Sequence, residues 1–140
     1  MQFVDTNVLL YAISREAEEQ PKAARANALL DRGDVALSVQ VLQEFYVQST
    51  RETRTGRITH DQAARLVESL LVFPVADVTT ALVRAAIATR ERFNISYWDA
   101  AILEAARSRG CAVVLSEDLS DGQNYAGVRV ENPFRAGSSG

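Results

Sequence analysis

Short β-branched runs alternate with longer stretches of helical periodicity along this chain, and that alternation restricts the fold more than any other feature. The runs are "QFVD" at the start, "VALS" at 35–38, "VFPVAD" at 72–77, "CAVVLS" at 111–116 and "GVRVEN" near the end. Between them lie helical patterns: "TNVLLYAIS", "KAARANALLDRG", a segment from about Val39 to Glu52, "AARLVESLLV", "TTALVRAAIATRERF" and "YWDAAILEAARSRG". Strands separated by helices read as α/β with a mostly parallel central sheet. Thr59 and Gln62 have the spacing of a capping box, and Gly110 follows the last turn of the helix from Ser96 as a stop.

The 140 residues fit one domain, expected to span 1–134, with 135–140 a tail or cloning remnant. The polar stretch "STRETRTGRIT" is the one clear break and is too short for a domain linker. Hydrophobic residues make up 47% and charged residues 24%, a balance expected of a soluble protein, and no apolar run approaches bilayer length. A lone Cys111 has no disulfide partner, and no signal-like segment opens the chain, so the expected compartment is the cytoplasm. Cys111 reads as a small packed apolar residue. The net charge of −3 offers nucleic acid no global attraction, so any such role must rest on local basic residues or on metal ions.

In open α/β sheets ligands gather at the carboxyl ends of the strands. Asp5 stands at one such end, in "FVDTN", where it could equally cap the helix that follows. "VVLSEDLSDG" places Ser116, Glu117, Asp118 and Asp121 after another strand, and a solvated acidic turn around Gly122 is the simpler reading of that stretch taken alone. "YWDAAIL" is apolar from Tyr97 to Leu103 except at Asp99. A carboxylate in a buried helix must be paired, bonded or bound to a cation, while one at the third position after Ser96 also suits the positive helix end. Both readings of Asp99 can hold together. Glu44 falls at the border of the stripe formed by Val41, Leu42, Phe45 and Tyr46, in a helix that rises from the same sheet edge.

"VDTNVLLY", "SVQVLQEF", "SYWDAAIL" and "VVLSEDLSDGQNYAGVRVENPF", in that order and over essentially the whole chain to Phe134, resemble the motifs of the PIN domain, most closely those of VapC-type ribonuclease toxins. The resemblance implies an α/β/α sandwich, with Asp5, Glu44, Asp99 and Asp118 as catalytic and metal-holding acids. Thr6, Asn7 and Ser116 match supporting polar positions; Asp121 is a further candidate beside them. It also implies a Mg²⁺- or Mn²⁺-dependent endoribonuclease acting as the toxin of a toxin–antitoxin pair, with an RNA substrate, a cognate antitoxin and a homodimer as partners.

The residue types agree with that chemistry. Crowded carboxylates remain ionised together only beside a cation, and oxygen ligands without nearby His or Cys favour Mg²⁺ or Mn²⁺ over zinc. His60, the sole histidine, reads as a surface residue in a first helical turn. Candidate RNA contacts are Arg51, Arg54 and Arg57, with Lys22 and Arg25 on the second helix, although a charged helix end is often merely solvated. A receiver-type phosphoacceptor would need a late lysine, and Lys22 is the only one; a haloacid dehalogenase-type phosphatase would need an Asp where Asn7 stands. The remaining rival is a non-catalytic PIN-like module that binds RNA or protein. Leu9, Leu10, Leu29, Leu30, Leu66 and Leu70 form wide apolar stripes, some of which are expected to stay exposed unless another chain covers them.

Overall fold

The computed structural model describes residues 1–135. Three residues, Gln2–Val4, form β1 with Phe3 and Val4 buried, and two Asp5-capped turns follow as α1 (Thr6–Ala12). A 3₁₀ turn at Ala17–Glu19 leads into α2 (Gln20–Arg32), which ends at Gly33 in the left-handed conformation, φ 75°. Next come β2 (Val35–Ser38), α3 (Val39–Thr50), α4 (His60–Leu70), β3 (Val75–Ala76), α5 (Thr80–Phe93) and α6 (Tyr97–Ser108). The chain closes with β4 (Val113–Leu115), β5 (Asn124–Tyr125) and β6 (Val128–Glu131).

The six strands form one sheet in the order β3-β2-β1-β4-β6-β5, parallel throughout except where β5 pairs antiparallel with β6. β1 is therefore central, with Phe3 opposite Ala36 on one side and Val114 on the other. Helices cover the sheet, which is why its strands read as apolar runs rather than alternating ones: every residue of β2 is buried. Phe3, Val4, Leu37, Val114 and Leu115 are fully buried, with Leu29, Phe45 and Leu103 packed from the helices. Burying such side chains contributes about 1.5–3 kcal/mol each.

Local signals set the ends of these elements. Thr59 and Gln62 complete the expected capping box at 3.1 and 2.9 Å. Gly110, φ 73°, lets the chain leave α6 while its own N–H bonds Arg107 O and that of Cys111 bonds Ala106 O. Cys111 is buried and, as expected, packs against the core; burial also raises its thiol pKa.

Three expectations need correction. "VFPVAD" yields only the two-residue β3, because it pairs on one side alone at the sheet edge. The antiparallel β5 was not anticipated; its turn uses Ala126 and Gly127 at positive φ, with Gly127 N–H bonding Asn124 Oδ1 at 2.8 Å. Of the six leucines, Leu9, Leu10 and Leu29 are core, and Leu30, Leu66 and Leu70 are half-buried against it. Instead Val47, Leu71, Val72, Val78, Ile87 and Trp98 are the exposed large apolar residues, with Met1. Arg135, expected to open the tail, ion-pairs with Asp121; residues 136–140 lie outside the described residues. No described helix is long and apolar enough to cross a membrane.

Candidate active site

Asp5 follows β1 directly, and its N–H bonds Leu115 O of β4 at 3.0 Å, so the acid is fixed by the sheet itself. The capping role anticipated for it holds. Its Oδ1 accepts from Thr6 N–H at 2.8 Å as a helix cap, and its Oδ2 accepts from Ser116 Oγ at 2.8 Å and Asn7 Nδ2 at 3.4 Å. Asp5 is only 8% exposed. Burial pushes its pKa up to about 6, against the lowering effect of the Ser116 and Thr6 bonds, and the charges of Glu44 and Asp118 add to the rise.

Glu44 comes from the second turn of α3, a helix started by Ser38, whose Oγ accepts from Val41 N–H at 3.2 Å. Its Oε1 accepts from Thr6 Oγ1 at 3.2 Å and Gln40 Nε2 at 3.3 Å. Asp118 lies in the loop after β4. Ser116 Oγ shapes that loop by accepting from the N–H groups of Asp118 and Leu119, at 3.1 and 3.3 Å. Asn7 ties the two ends of the chain together: Nδ2 reaches Ser116 Oγ and Asp118 Oδ2, both at 3.2 Å, while Oδ1 accepts from Glu117 N–H at 3.1 Å.

Asp99 occupies the first turn of α6, where Ser96 Oγ accepts its N–H at 3.0 Å. The cap is therefore real, but it uses the backbone of Asp99 and not its carboxylate. That half-buried carboxylate has no hydrogen-bond or ion-pair partner among the described residues. The expectation of a helix buried all round fails at this turn, since Trp98 is 65% exposed and burial is continuous only from Ala100 to Ala106.

Asp5, Glu44, Asp99 and Asp118 line one cleft of about 110 Å³, together with Thr6, Asn7, Leu10, Gln40, Gln48, Trp98 and Ile102. Four acids from four separate segments thus share a small space with no cationic side chain in its lining. The donor chemistry, all oxygen and strongly anionic, suits a hard divalent ion. Among the described residues no three acids, histidines or cysteines stand close enough together, as placed, to hold one. An ion here would have to draw the unpartnered Asp99 and the exposed Asp118 inward.

Other candidates lie elsewhere. Asp121 is outside the cleft: Asn132 N–H donates to its Oδ1 at 2.8 Å and Arg135 pairs with Oδ2, and these bonds lower its pKa. It fastens the C-terminal segment. Arg51, Arg54 and Arg57 sit in the loop past the far end of α3 and do not line the cleft. Lys22 and Arg25 are committed internally, Lys22 to Glu117 at 2.5 Å and Arg25 Nε to Pro133 O at 3.2 Å. His60 is on the surface, its Nδ1 2.6 Å from Tyr46 Oη. Besides the apolar Leu10 and Ile102, the cleft residues not anticipated are Gln40, Gln48 and Trp98. The glutamines repeat at four-residue intervals with Glu44, a spacing that marks one helix face.

A parallel-dominated sheet with acids gathered at its carboxyl edge defines an α/β protein with its candidate site where such sheets place their ligands. Residues 3–120 match the PIN domain family, and the chain belongs to it. Among solved structures, a toxin–antitoxin complex from Klebsiella pneumoniae shares 19% identity with a TM-score of 0.69, covering 97% of this chain and 100% of that one. VapC20 of Mycobacterium tuberculosis, described as a sarcin–ricin-loop-cleaving toxin, shares 22% identity with a TM-score of 0.64 over 84% of this chain and 90% of that one. DNA-bound VapBC from Salmonella typhimurium shares 20% identity with a TM-score of 0.66 over 94% and 97%. At these identities the likeness shows the fold. No curated protein matches the chain.

Proposed function

We propose that this chain is a Mg²⁺- or Mn²⁺-dependent endoribonuclease, the toxin of a toxin–antitoxin pair. The observation that carries the reading is the convergence of Asp5, Glu44, Asp99 and Asp118 on one cleft. Asp5, Glu44, Asp99 and Asp118 would hold the cation. Bound there, it supplies an acidified water for attack on a phosphodiester and positive charge for the phosphate oxygens. Ser116 and Thr6 hydrogen-bond Asp5 in its charged form, Thr6 and Gln40 orient Glu44, and Asn7 keeps Asp118 at the cleft edge. Leu10 and Ile102 close the cleft on its apolar side.

A second copy and an antitoxin are the proposed protein partners. Toxin–antitoxin complexes among the similar structures support the latter. An apolar groove of about 540 Å³ between α3 and α4, lined by Leu42, Tyr46, Val47, Ala64 and Val67, supplies surface for such association.

Asp99→Asn tests the metal assignment. The substitution removes a charge from the crowded cleft while nearly keeping shape, so the variant should melt no lower than the parent in EDTA. It should gain less from Mn²⁺, by mass action on the native state, and should lose RNA cleavage. If Asp99 served only the helix dipole, the variant would lose about 0.3–1 kcal/mol and keep the Mn²⁺ shift; that result removes Asp99 from the cation set. Failure of the parent to cut a panel of structured RNAs with Mn²⁺ would favour the non-catalytic reading.

A further inference from the structure

The chain's one tryptophan stands at the acidic cleft. Trp98 is 65% exposed, whereas the residues that follow from Ala100 to Ala106 are buried. Its position is nevertheless set. Its carbonyl accepts from Gln40 Nε2 at 3.4 Å, and its indole meets the Tyr97 ring in a T-shaped contact, 5.1 Å between centroids at 81°. A T-shaped contact covers at most one face of the indole, so a broad aromatic surface remains open beside Asp99.

Charge gives this surface a purpose. The cleft lining has four acids and no lysine or arginine, so a phosphate chain approaching it is repelled until a cation is bound. Uncharged contacts must then hold the substrate in register. Base stacking does this without regard to charge, and on aromatic platforms it is worth about tenfold to hundredfold in affinity per base. Gln48 lies one turn beyond Glu44 on the same helix face and lines the same cleft, and its amide has no partner among the described residues. It offers both a donor and an acceptor to a base edge.

We propose that Trp98 is the stacking platform for an unpaired base next to the scissile phosphate, with the Gln48 amide reading that base's edge. The proposal rests on the nuclease reading above and adds to it the two residues that engage a base. A base inside a duplex has both faces occupied, so the site selects single-stranded segments or loops.

Because Trp98 is the sole tryptophan, fluorescence excited selectively at tryptophan reports on the surroundings of this residue alone. The parent is titrated, with Ca²⁺ in place of Mn²⁺, with a short single-stranded oligoribonucleotide, with the same sequence as a duplex, and with copies carrying one abasic position each. Saturable quenching is expected with the single strand, little with the duplex, and a loss at one abasic position. In Mn²⁺ assays Trp98→Ala should raise KM tenfold or more with little change in kcat, and Trp98→Phe should restore most of the loss. Gln48→Ala should alter base preference while quenching persists. Equal quenching by duplex and single strand, or an unchanged KM in Trp98→Ala, overturns the proposal. Absence of quenching in a parent that cleaves RNA overturns it and leaves the nuclease reading intact. Quenching by a protein that cuts none of the RNA panel supports a base-stacking surface at Trp98, overturns its place beside a scissile phosphate and favours the non-catalytic reading.

Discussion

Asp5 is held in a conflict between burial and charge, and that conflict ties the site to pH. Its pKa is raised from an ordinary 3.8 to about 6, so between those values the folded protein binds a proton that the unfolded chain has released. Stability contributed by the protonated form is full below pH 4 and is lost as pH rises through 6, a difference on the order of 2–3 kcal/mol. In EDTA the contribution of Asp5 should therefore lower the melting temperature from pH 5 to pH 7, and Asp5→Asn should flatten that slope. A metal needs the ionised form, so Mn²⁺ affinity should climb over the same interval; a Mn²⁺ stabilisation equal at pH 5 and pH 7 would contradict this account. The positions of Thr6, Asn7 and Ser116 beside the acids followed from the resemblance of their motifs, and they stand one to three residues beyond strand ends, where position is nearly fixed. Trp98 was not legible. An apolar letter in a helix pattern does not say whether that turn lies over the sheet or projects past its edge.

At the scale of elements, the loop after β4 is held by Lys22 of α2 and Tyr11 of α1. Glu117 accepts from Lys22 Nζ and from Tyr11 Oη at 2.6 Å, and Lys22 lies over the Tyr11 ring at 4.7 Å. Burial works against the Glu117 carboxylate, yet these two bonds outweigh it and keep its pKa below the ordinary value. The neighbouring residue is Asp118, so the clamp sets how freely one acid of the cleft can move. Lys22→Met keeps apolar cover on Tyr11 while removing the charge. It should cost no more than about 1 kcal/mol, since the pair is partly exposed. The same variant should speed amide hydrogen exchange at residues 117–119; unchanged exchange there would show that Asn7 and Ser116 suffice. Helix boundaries could be read from caps such as Thr59 and Gly110 because capping is local chemistry. β3 and β5 could not, because a two-residue strand exists only through the partner it pairs with, and that partner is distant in sequence for β3.

At the scale of the whole molecule, the expectation of exposed leucine stripes proved right in kind and wrong in place. Periodicity identifies an apolar face but not which faces the sheet consumes, and the sheet takes Leu9, Leu10 and Leu29 while leaving Val47, Leu71 and Val72 outside. Covering that surface is the argument for self-association: light scattering at micromolar concentration should give twice the mass of the chain, and a monomer would refute the dimer. The placement of β1 also governs when the cleft can form. Within the domain, Leu115, Ser116 and Asp118 follow Asp5 by more than a hundred residues. Until they are added, one edge of the central strand is open and the carboxylate of Asp5 stays hydrated. A nascent chain therefore carries no assembled cleft until β4 and the loop after it have been made.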